Sequence, residues 1–174
     1  MTYFTRSELL QVPIFTSKAI REERYHNKAA TVRENIFLSH SHKDQNIVEQ
    51  VVDLLGNQGI TVYIDWKDNT MPEVTSPETA ARIKRKIAAC NKFVLLATNY
   101  ALASRWVPWE LGVADVSTSM EHVAIMPVRD PPHEWKGNEY VGIYSTLEKA
   151  TDGSLAIFAP GKNTGITLRE WILK

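Results

Sequence analysis

The sequence predicts an α/β domain in which a central parallel sheet lies between two layers of helices, a three-layer sandwich. Two observations predict it. From residue 35 onward, short apolar runs alternate with segments of helical periodicity, and each apolar run stops abruptly at polar residues. Buried parallel strands are apolar throughout because both of their faces are covered, and strands that alternate with helices through short links form parallel sheets. At 174 residues the chain is long enough for one such domain.

Five runs rich in Val, Ile, Leu and aromatic residues are the predicted strands, because this composition favours an extended conformation. Ahead of them, residues 1–34 combine helix formers with mixed charge, and we predict an N-terminal helical arm there, with the domain at 35–174. The predicted strands are NIFLS (35–39), GITVYID (59–65), KFVLLAT (92–98), HVAIMPV (122–128) and SLAIFAP (154–160).

Helix signals lie between the first four strands. Residues 46–55 carry an apolar stripe, and Gly59 lies just past its end. The tetrapeptide 75–78, Thr-Ser-Pro-Glu, places a hydroxyl cap before a proline and an acid, which predicts a helix that runs to about Ala89. Pro108 predicts the start of a third helix within SRWVPWEL.

The charge balance and the cysteine content limit which binding partners and which cellular compartment are expected. Twenty basic residues balance twenty acidic ones, so no net field attracts nucleic acid or an anionic membrane, and neither partner is expected. The basic cluster at 82–86 is interpreted as a solvated helix face. A single cysteine, Cys90, excludes an internal disulfide and favours a reducing compartment. The sequence contains no run of about 18 apolar residues, so no membrane span is predicted. The cytoplasm is therefore the expected location.

The polar segments that follow the strands define a predicted binding rim. In open parallel sheets, ligands bind outside the carboxyl ends of the strands. Those ends are predicted at residues 39–44, 65–72, 98–101 and 127–131, and the helix that begins within residues 106–110 adds to the same edge. Tryptophans, acids, histidines and hydroxyls converge on this rim, so we expect a site there.

His40, His42 and Asp44 have the HxHxD spacing with which two imidazoles and a carboxylate hold zinc in metal-dependent hydrolases. Only His122 and His133 remain downstream as further imidazole ligands. A polar loop in which Asp44 caps the following helix is the favoured interpretation.

Asp65 and Asp68 flank Trp66 in the next polar segment. They read either as a carboxylate pair for acid–base chemistry or magnesium binding, or as turn-capping aspartates around a packed tryptophan. The residues alone leave both interpretations open. Neither a GxGxxG segment, nor a P-loop, nor a GxSxG elbow occurs, which argues against Rossmann-type dinucleotide binding, ATP hydrolysis and acyl transfer.

Glu110 follows Pro108 by two residues and shares its segment with Trp106 and Trp109. If all are helical, Trp106 and Glu110 are four residues apart and share a face that is turned toward the rim. A glutamate in a first helical turn also gains about 0.3–1 kcal/mol from the helix dipole. Taken alone, the segment favours that role at a helix start.

Together these segments resemble a Toll/interleukin-1 receptor (TIR) domain. NIFLSHSHKD resembles the first box of the family, ITVYIDWKD its second strand with the following loop, and SRWVPWEL its WxxxE segment, Trp106 to Glu110. The resemblance spans about residues 34–130 and is closest to short bacterial TIR proteins, many of which belong to anti-phage systems such as Thoeris. It implies a flavodoxin-like strand order for the predicted sandwich.

The resemblance also implies an activity. Bacterial and plant TIR domains cleave NAD+ at the nicotinamide–ribose bond to give ADP-ribose or a cyclic isomer, and the glutamate of WxxxE, here Glu110, is the catalytic residue. NAD+ is then the substrate and no further cofactor is needed; copies associate through TIR–TIR contacts, and a downstream effector reads the product in antiviral signalling. The implied substrate-binding residues are Ser39, His40, Ser41, Asp44, Asp65, Trp66, Asn99 and Trp106.

Two departures and two alternatives accompany this hypothesis. His40 takes the place of the aromatic residue common in the first box, so it is suited to hydrogen bonding with a ribose or phosphate and less to stacking. The loop WKDNTMPEVT (66–75) lacks the composition of receptor TIR domains, which argues against a receptor-type adaptor surface. The first alternative is a non-catalytic TIR–TIR scaffold in which Glu110 only begins a helix. The second is a zinc-dependent hydrolase that uses His40, His42 and Asp44.

Overall fold

An eight-stranded sheet runs through the described part of the chain, which in this computed structural model comprises residues 2–13, 35–67, 76–131 and 135–174. Strands β2 to β6 run parallel to one another, and β7 and β8 extend the sheet as antiparallel strands. The strands are β1 (Phe4–Thr5), β2 (Ile36–Ser39), β3 (Val62–Tyr63), β4 (Lys92–Ala97), β5 (Val123–Arg129), β6 (Ser145–Lys149), β7 (Leu155–Phe158) and β8 (Gly165–Thr167).

The strand order is β3-β2-β4-β5-β6-β7-β8, and the short β1 pairs beside the end of β5 with Phe4 opposite Val128. Strands β2 to β6 therefore have the order second, first, third, fourth, fifth of a flavodoxin-like sheet, which confirms the predicted fold class. In this topology the chain leaves β2 in one direction and β4 in the other, and the crevice between their carboxyl ends is where ligands bind.

Helices cover both faces of the sheet. On one face, α1, α2 and α6 pack with the core cluster that contains Leu9, Val51 and Trp171. On the other, α3 and α5 pack with the cluster that contains Phe37, Ile83 and Leu111. The helices are α1 (Arg6–Leu10), α2 (Gln45–Gly56), α3 (Pro77–Ala89), α4 (Asn99–Leu102), α5 (Val107–Thr118) and α6 (Leu168–Leu173), and short 3-10 turns lie at His42–Asp44, Asp65–Lys67, Met120–His122 and Val141–Ile143.

The predicted helix and strand signals are confirmed, with shorter strands than predicted at 59–65 and 154–160. The helix α3 begins after Ser76, whose hydroxyl accepts the backbone N–H of Thr79, and it ends at Ala89 as expected. The strand predicted at 59–65 is reduced to Val62–Tyr63. Its first residues instead close α2, because Gly59 adopts a left-handed φ of 75° and the N–H of Ile60 bonds back to Leu55.

The N-terminal residues contribute to the domain. Phe4 and Thr5 add a strand, Leu9 is fully buried, and Thr5 caps α1 through a reciprocal bond with Glu8. The helical segment predicted from residue 16 onward falls within residues 14–34, outside the described residues, so the arm and its boundary at residue 34 stay predictions. No helix among the described residues is long and apolar enough to cross a membrane.

Candidate active site

Glu110 occupies the first turn of α5, and the local sequence explains why a helix begins there. The hydroxyl of Ser104 accepts the backbone N–H groups of Trp106 (3.2 Å) and Val107 (3.5 Å), which would otherwise lack partners. Pro108 has no N–H to satisfy at this position. The carbonyl of Trp106 then accepts the N–H of Glu110 at 2.9 Å, as expected for a first helical bond. The carboxyl group of Glu110 is thereby fixed relative to the sheet.

The carboxyl group of Glu110 is buried beside the carboxyl end of β2. Glu110 is 6% exposed, and the hydroxyl of Ser39 donates a 2.6 Å hydrogen bond to its Oε2. Burial raises the pKa of Glu110 to about 8, the Ser39 hydrogen bond opposes that shift, and the negative charge of Asp65 adds to it. The protein holds an acid that is poised to ionise just above neutral pH.

Asp65 and His40 form the side of the site next to Glu110. The Nδ1 of His40 donates to the carbonyl of Leu38 at 3.0 Å, and its Nε2 lies 3.8 Å from Oδ1 of Asp65. The imidazole is buried, and burial lowers its pKa, an effect that the neighbouring Asp65 opposes. The backbone N–H of Trp66 also donates to Asp65 at 2.9 Å. These contacts orient Asp65 while leaving its side chain partly accessible.

Two tryptophans stand at the start of α5 beside Glu110. Trp106 and Trp109 meet edge to face with ring centroids 5.1 Å apart, and both pack on the core cluster of that sheet face. The Nζ of Lys84 in α3 lies 5.7 Å from the centroid of the Trp109 ring. Both rings therefore add apolar surface to the helix start that carries Glu110.

Asp44 is bound to Arg6 and Thr98 and does not cap α2. The structure shows no hydrogen bond from its side chain to the start of that helix, so the predicted cap is wrong. Its fully buried carboxylate instead accepts the hydroxyl of Thr98 at 2.5 Å and a hydrogen bond from Nη2 of Arg6. The carboxylate therefore bonds Arg6, which is distant in sequence, and the buried hydroxyl of Thr98, and it does not bond the local backbone.

Three further predicted site residues lie around the same edge of the sheet. Ser41 is buried, and its hydroxyl accepts the N–H of Lys43 at the start of a 3-10 turn. Asn99 is exposed as the first residue of α4. Trp66 packs against the core cluster on the opposite sheet face from α5. Their roles toward a substrate stay predictions.

Comparison with known proteins identifies the fold family. The sequence model described as the TIR domain matches residues 36–152 of this chain. The chain belongs to the TIR domain family. A Bacillus cereus (strain MSX-D12) protein named "Probable 3' cyclic ADP-D-ribose synthase ThsB'" is 29% identical over 167 residues, covering 87% of this chain and 86% of that protein. A Cytobacillus dafuensis protein named "Putative cyclic ADP-D-ribose synthase TIR2" is 29% identical over 113 residues, covering 63% of this chain and 29% of that protein.

The zinc alternative receives no support from this TIR domain. The surroundings of its three proposed ligands do not suit a shared metal ion: the Nδ1 of His40 bonds a backbone carbonyl, His42 is exposed, and Asp44 binds Arg6 and Thr98. Within the described ranges no group of three or more His, Cys, Asp or Glu side chains is arranged to hold a metal ion. His133 lies outside those ranges.

Sequence reasoning missed a set of buried polar atoms on the α5 face of this TIR domain. Trp135 and Tyr140 pack on the same cluster as Trp106, and neither Nε1 of Trp135 nor the hydroxyl of Tyr140 has a hydrogen-bond partner among the described residues. Nε of Arg129, at the carboxyl end of β5, is equally unpartnered there. Such atoms in native proteins usually bond to ordered water or to a ligand. Only the aromatic content of residues 135–144 could have indicated the first two of these atoms.

Proposed function

We propose that this chain cleaves NAD+ at the nicotinamide–ribose bond and closes the ADP-ribose product into a cyclic isomer. The observation that carries the proposal is the buried Glu110 of the WxxxE segment, hydrogen-bonded to Ser39 at the crevice where a flavodoxin-like sheet binds ligands. Membership of the TIR family and the names of the Bacillus cereus and Cytobacillus dafuensis relatives, both cyclic ADP-D-ribose synthases, support it.

The charges at the site suit this substrate. NAD+ carries a positive pyridinium ring, and Glu110 and Asp65 are two acids at one site whose mutual repulsion is relieved by a cation. Binding of the pyridinium ring therefore favours the ionised form of Glu110. The tryptophans Trp106 and Trp109 supply flat apolar surfaces on which a ring can pack.

The proposed reaction requires one carboxylate and no acid to protonate the leaving group. As the bond between ribose C1' and the pyridinium nitrogen breaks, the electron pair leaves with neutral nicotinamide, so no proton donor is needed. Positive charge develops on the ribose, and the carboxylate of Glu110 stabilises it in a low-dielectric surrounding. A hydroxyl oxygen of the adenosine half then bonds to C1', and the proton that it loses passes to the solvent. Cyclisation competes with hydrolysis, and the apolar surfaces beside Glu110 reduce access of water.

The proposed cyclic product also implies a biological role. We propose that the cyclic product is a signal in antiviral defence in the cytoplasm, read by a downstream effector, and that copies of the chain associate through TIR–TIR contacts. The single cysteine, Cys90, which is buried at the end of α3, is consistent with a reducing compartment. The scaffold alternative shares this self-association but needs no reaction at Glu110.

Incubation of concentrated protein with NAD+ tests the proposal. We expect nicotinamide release together with a nucleotide that is lighter than ADP-ribose by one water molecule, detected by chromatography and mass spectrometry. Glu110→Gln should lower the rate by at least about a hundredfold, because it removes the charge that stabilises the transition state. Glu121→Gln, an exposed glutamate at the opposite sheet edge, should leave the rate unchanged.

Light scattering on the same samples separates the enzyme from the scaffold. If Glu110→Gln is inert and keeps the wild-type assembly size, the enzyme is supported. Undiminished release by Glu110→Gln would remove Glu110 from the mechanism. If wild-type protein releases no nicotinamide in its assembled state and Glu110→Gln disrupts assembly, the scaffold is the better account.

Activity should depend on the ionisation of Glu110. We expect kcat/KM to rise with pH through a midpoint near the pKa of about 8, and kcat to have a lower midpoint, because bound NAD+ favours the carboxylate. The Ser39 hydrogen bond lowers the pKa of Glu110, so Ser39→Ala should move the kcat/KM midpoint to higher pH and reduce activity most strongly near pH 7. Ser117→Ala, on the exposed side of the same helix, is the control. An unmoved midpoint in Ser39→Ala would contradict this assignment.

A further inference from the structure

A cavity of about 430 Å³ lies at the amino edge of the sheet, opposite the Glu110 site. It opens where β4 and β6 begin, at Lys92 and Ser145, and the C-terminal helix α6 forms one wall with Trp171. Its volume falls within the range of small-molecule binding sites. We call it the amino-edge cavity, defined by Lys92, Glu121, His122, Ser145, Thr164 and Lys174 together with Trp171.

Lys92 lines this cavity and has no ion-pair partner among the described residues. The residue is 2% exposed, and its Nζ lies 5.1 Å from the centroid of the Trp171 ring. Among the described residues its ammonium forms neither a hydrogen bond nor an ion pair. Burial lowers the pKa of Lys92, an effect opposed by the charge of Glu121 and reinforced by that of Lys174. Lysines are almost never buried to this extent unless they are paired, so this one calls for an anion.

The remaining walls of the cavity favour a negatively charged ligand. Two lysines, Lys92 and Lys174, face one glutamate, Glu121. The Nδ1 of His122 donates to the carbonyl of Thr118 at 2.6 Å, which leaves its Nε2 as the ring nitrogen available to a ligand. The Trp171 ring is fixed because its Nε1 donates to the backbone carbonyl of Glu121 at 2.9 Å.

We propose that the amino-edge cavity binds a small organic phosphate, with the ammonium of Lys92 as its principal contact. The cavity offers lysine point charges and the hydroxyls of Ser145 and Thr164, a donor set that suits the tetrahedral oxygens of a phosphate. The described residues that line it include no arginine, whose planar fork is the usual partner of a carboxylate. The volume exceeds what an inorganic ion would fill, so the phosphate belongs to a larger molecule.

This site is separate from the one at Glu110. Lys92 begins β4, whose far end lies at the opposite edge, and a strand of this length spans roughly 17 Å. The two sites can therefore be tested independently. Binding at the amino-edge cavity requires no NAD+ cleavage, and failure of either proposal leaves the other standing.

Isothermal titration calorimetry with ribose 5-phosphate as the probe tests the proposal, with ribose, inorganic phosphate and malate as comparisons. We expect wild-type protein to bind ribose 5-phosphate with a millimolar or lower Kd, inorganic phosphate and malate more weakly, and ribose not at all. Lys92→Met should weaken binding by about tenfold to a hundredfold, since a charged hydrogen bond is lost. Glu110→Gln and Lys136→Met, an exposed lysine elsewhere, should bind as the wild type does.

Several results would overturn the proposal: equal binding of ribose and ribose 5-phosphate, equal binding of malate, no binding of any phosphate, or undiminished binding by Lys92→Met. A purely structural lysine would reveal itself as a lower Tm of Lys92→Met, whereas removal of an unpaired buried charge should leave Tm unchanged or raise it. If Lys92→Met does not fold, Lys174→Met serves in its place, and the proposal requires that it also weakens binding of ribose 5-phosphate.

Discussion

Glu110→Gln should make the folded protein more stable at pH 8.5 than the wild type, although it removes a hydrogen-bonded side chain from the core. The pKa of Glu110 is raised from 4.5 to about 8 in the folded state, so between these values the folded chain keeps a proton that the unfolded chain has lost. Stability of the wild type therefore falls as pH rises from about 4.5 toward 8. Glutamine, which is neutral at every pH, escapes this loss.

The expected size of the effect is large. From the raised pKa, the stability difference between Glu110→Gln and wild type should grow by about 4 kcal/mol between pH 4 and pH 8.5, in favour of the variant. For a domain of this size, that corresponds to a Tm difference of roughly 10 °C. Below pH 4.5 both side chains are neutral and of similar shape, so any remaining difference reflects packing alone.

Urea unfolding curves at four pH values between 4 and 8.5 measure this difference directly. Titrating groups distant from Glu110 affect both proteins equally and cancel. Glu139→Gln, an exposed glutamate in the loop before β6, should show a difference from wild type that does not change by more than about 0.5 kcal/mol across this range. A Glu110→Gln advantage that stays constant with pH would mean that Glu110 is ionised at neutral pH, and the pH dependence expected for kcat/KM would then fail as well.

The strands that have a local composition signal could be predicted from the sequence. The runs that became β2, β4 and β5 are apolar on both faces and end at polar residues, so composition alone locates them. The strands β1, β6 and β8 were not predicted. The two residues of β1, the mixed polarity of STLEK in β6 and the three exposed or half-buried residues of β8 carry no period, and these strands exist because a neighbouring strand pairs with them.

In the candidate site, too, the features set by local sequence could be predicted, and the contacts between residues distant in sequence could not. The place of Glu110 in a first helical turn, sharing a segment with Trp106, follows from Pro108 and the spacing of four residues. Its contact with Ser39 joins residues 71 positions apart and could be predicted only as a shared rim. For Asp44, the local rule that an aspartate before a helix caps it gave the wrong result, because its partner Arg6 lies 38 positions away and no local pattern pairs the two residues.

Asp44→Ala should destabilise the fold by about 3–5 kcal/mol, the usual cost of removing one partner from a buried ion pair. The carboxylate is fully buried and holds two elements at once. Its Oδ2 accepts the hydroxyl of Thr98, which in turn accepts the N–H of Ala101 and so caps α4. Its Oδ1 accepts Nη2 of Arg6, which anchors the N-terminal helix α1 to the sheet edge.

The loss should be specific to the buried carboxylate. Arg6 also donates to Oδ2 of Asp130 at 3.1 Å, but the side chain of Asp130 is 44% exposed, so Asp130→Ala should cost less than about 1 kcal/mol. Asp44→Asn keeps an acceptor for one partner while losing the charge, and we expect an intermediate effect. Urea unfolding of the three variants gives the comparison.

A double-mutant cycle with Arg6→Met completes the test, because the two side chains should be strongly coupled. Once Asp44 is alanine, removing the guanidinium should cost little more, and a coupling energy of roughly 1–3 kcal/mol should separate the double variant from the sum of the single ones. Amide hydrogen exchange locates the effect: in Asp44→Ala, protection should fall first at the backbone of β1 and α1. Additive single effects, or loss of protection confined to α2, would show that Asp44 acts on its own helix, and the anchoring of residues 4–10 would then need another cause.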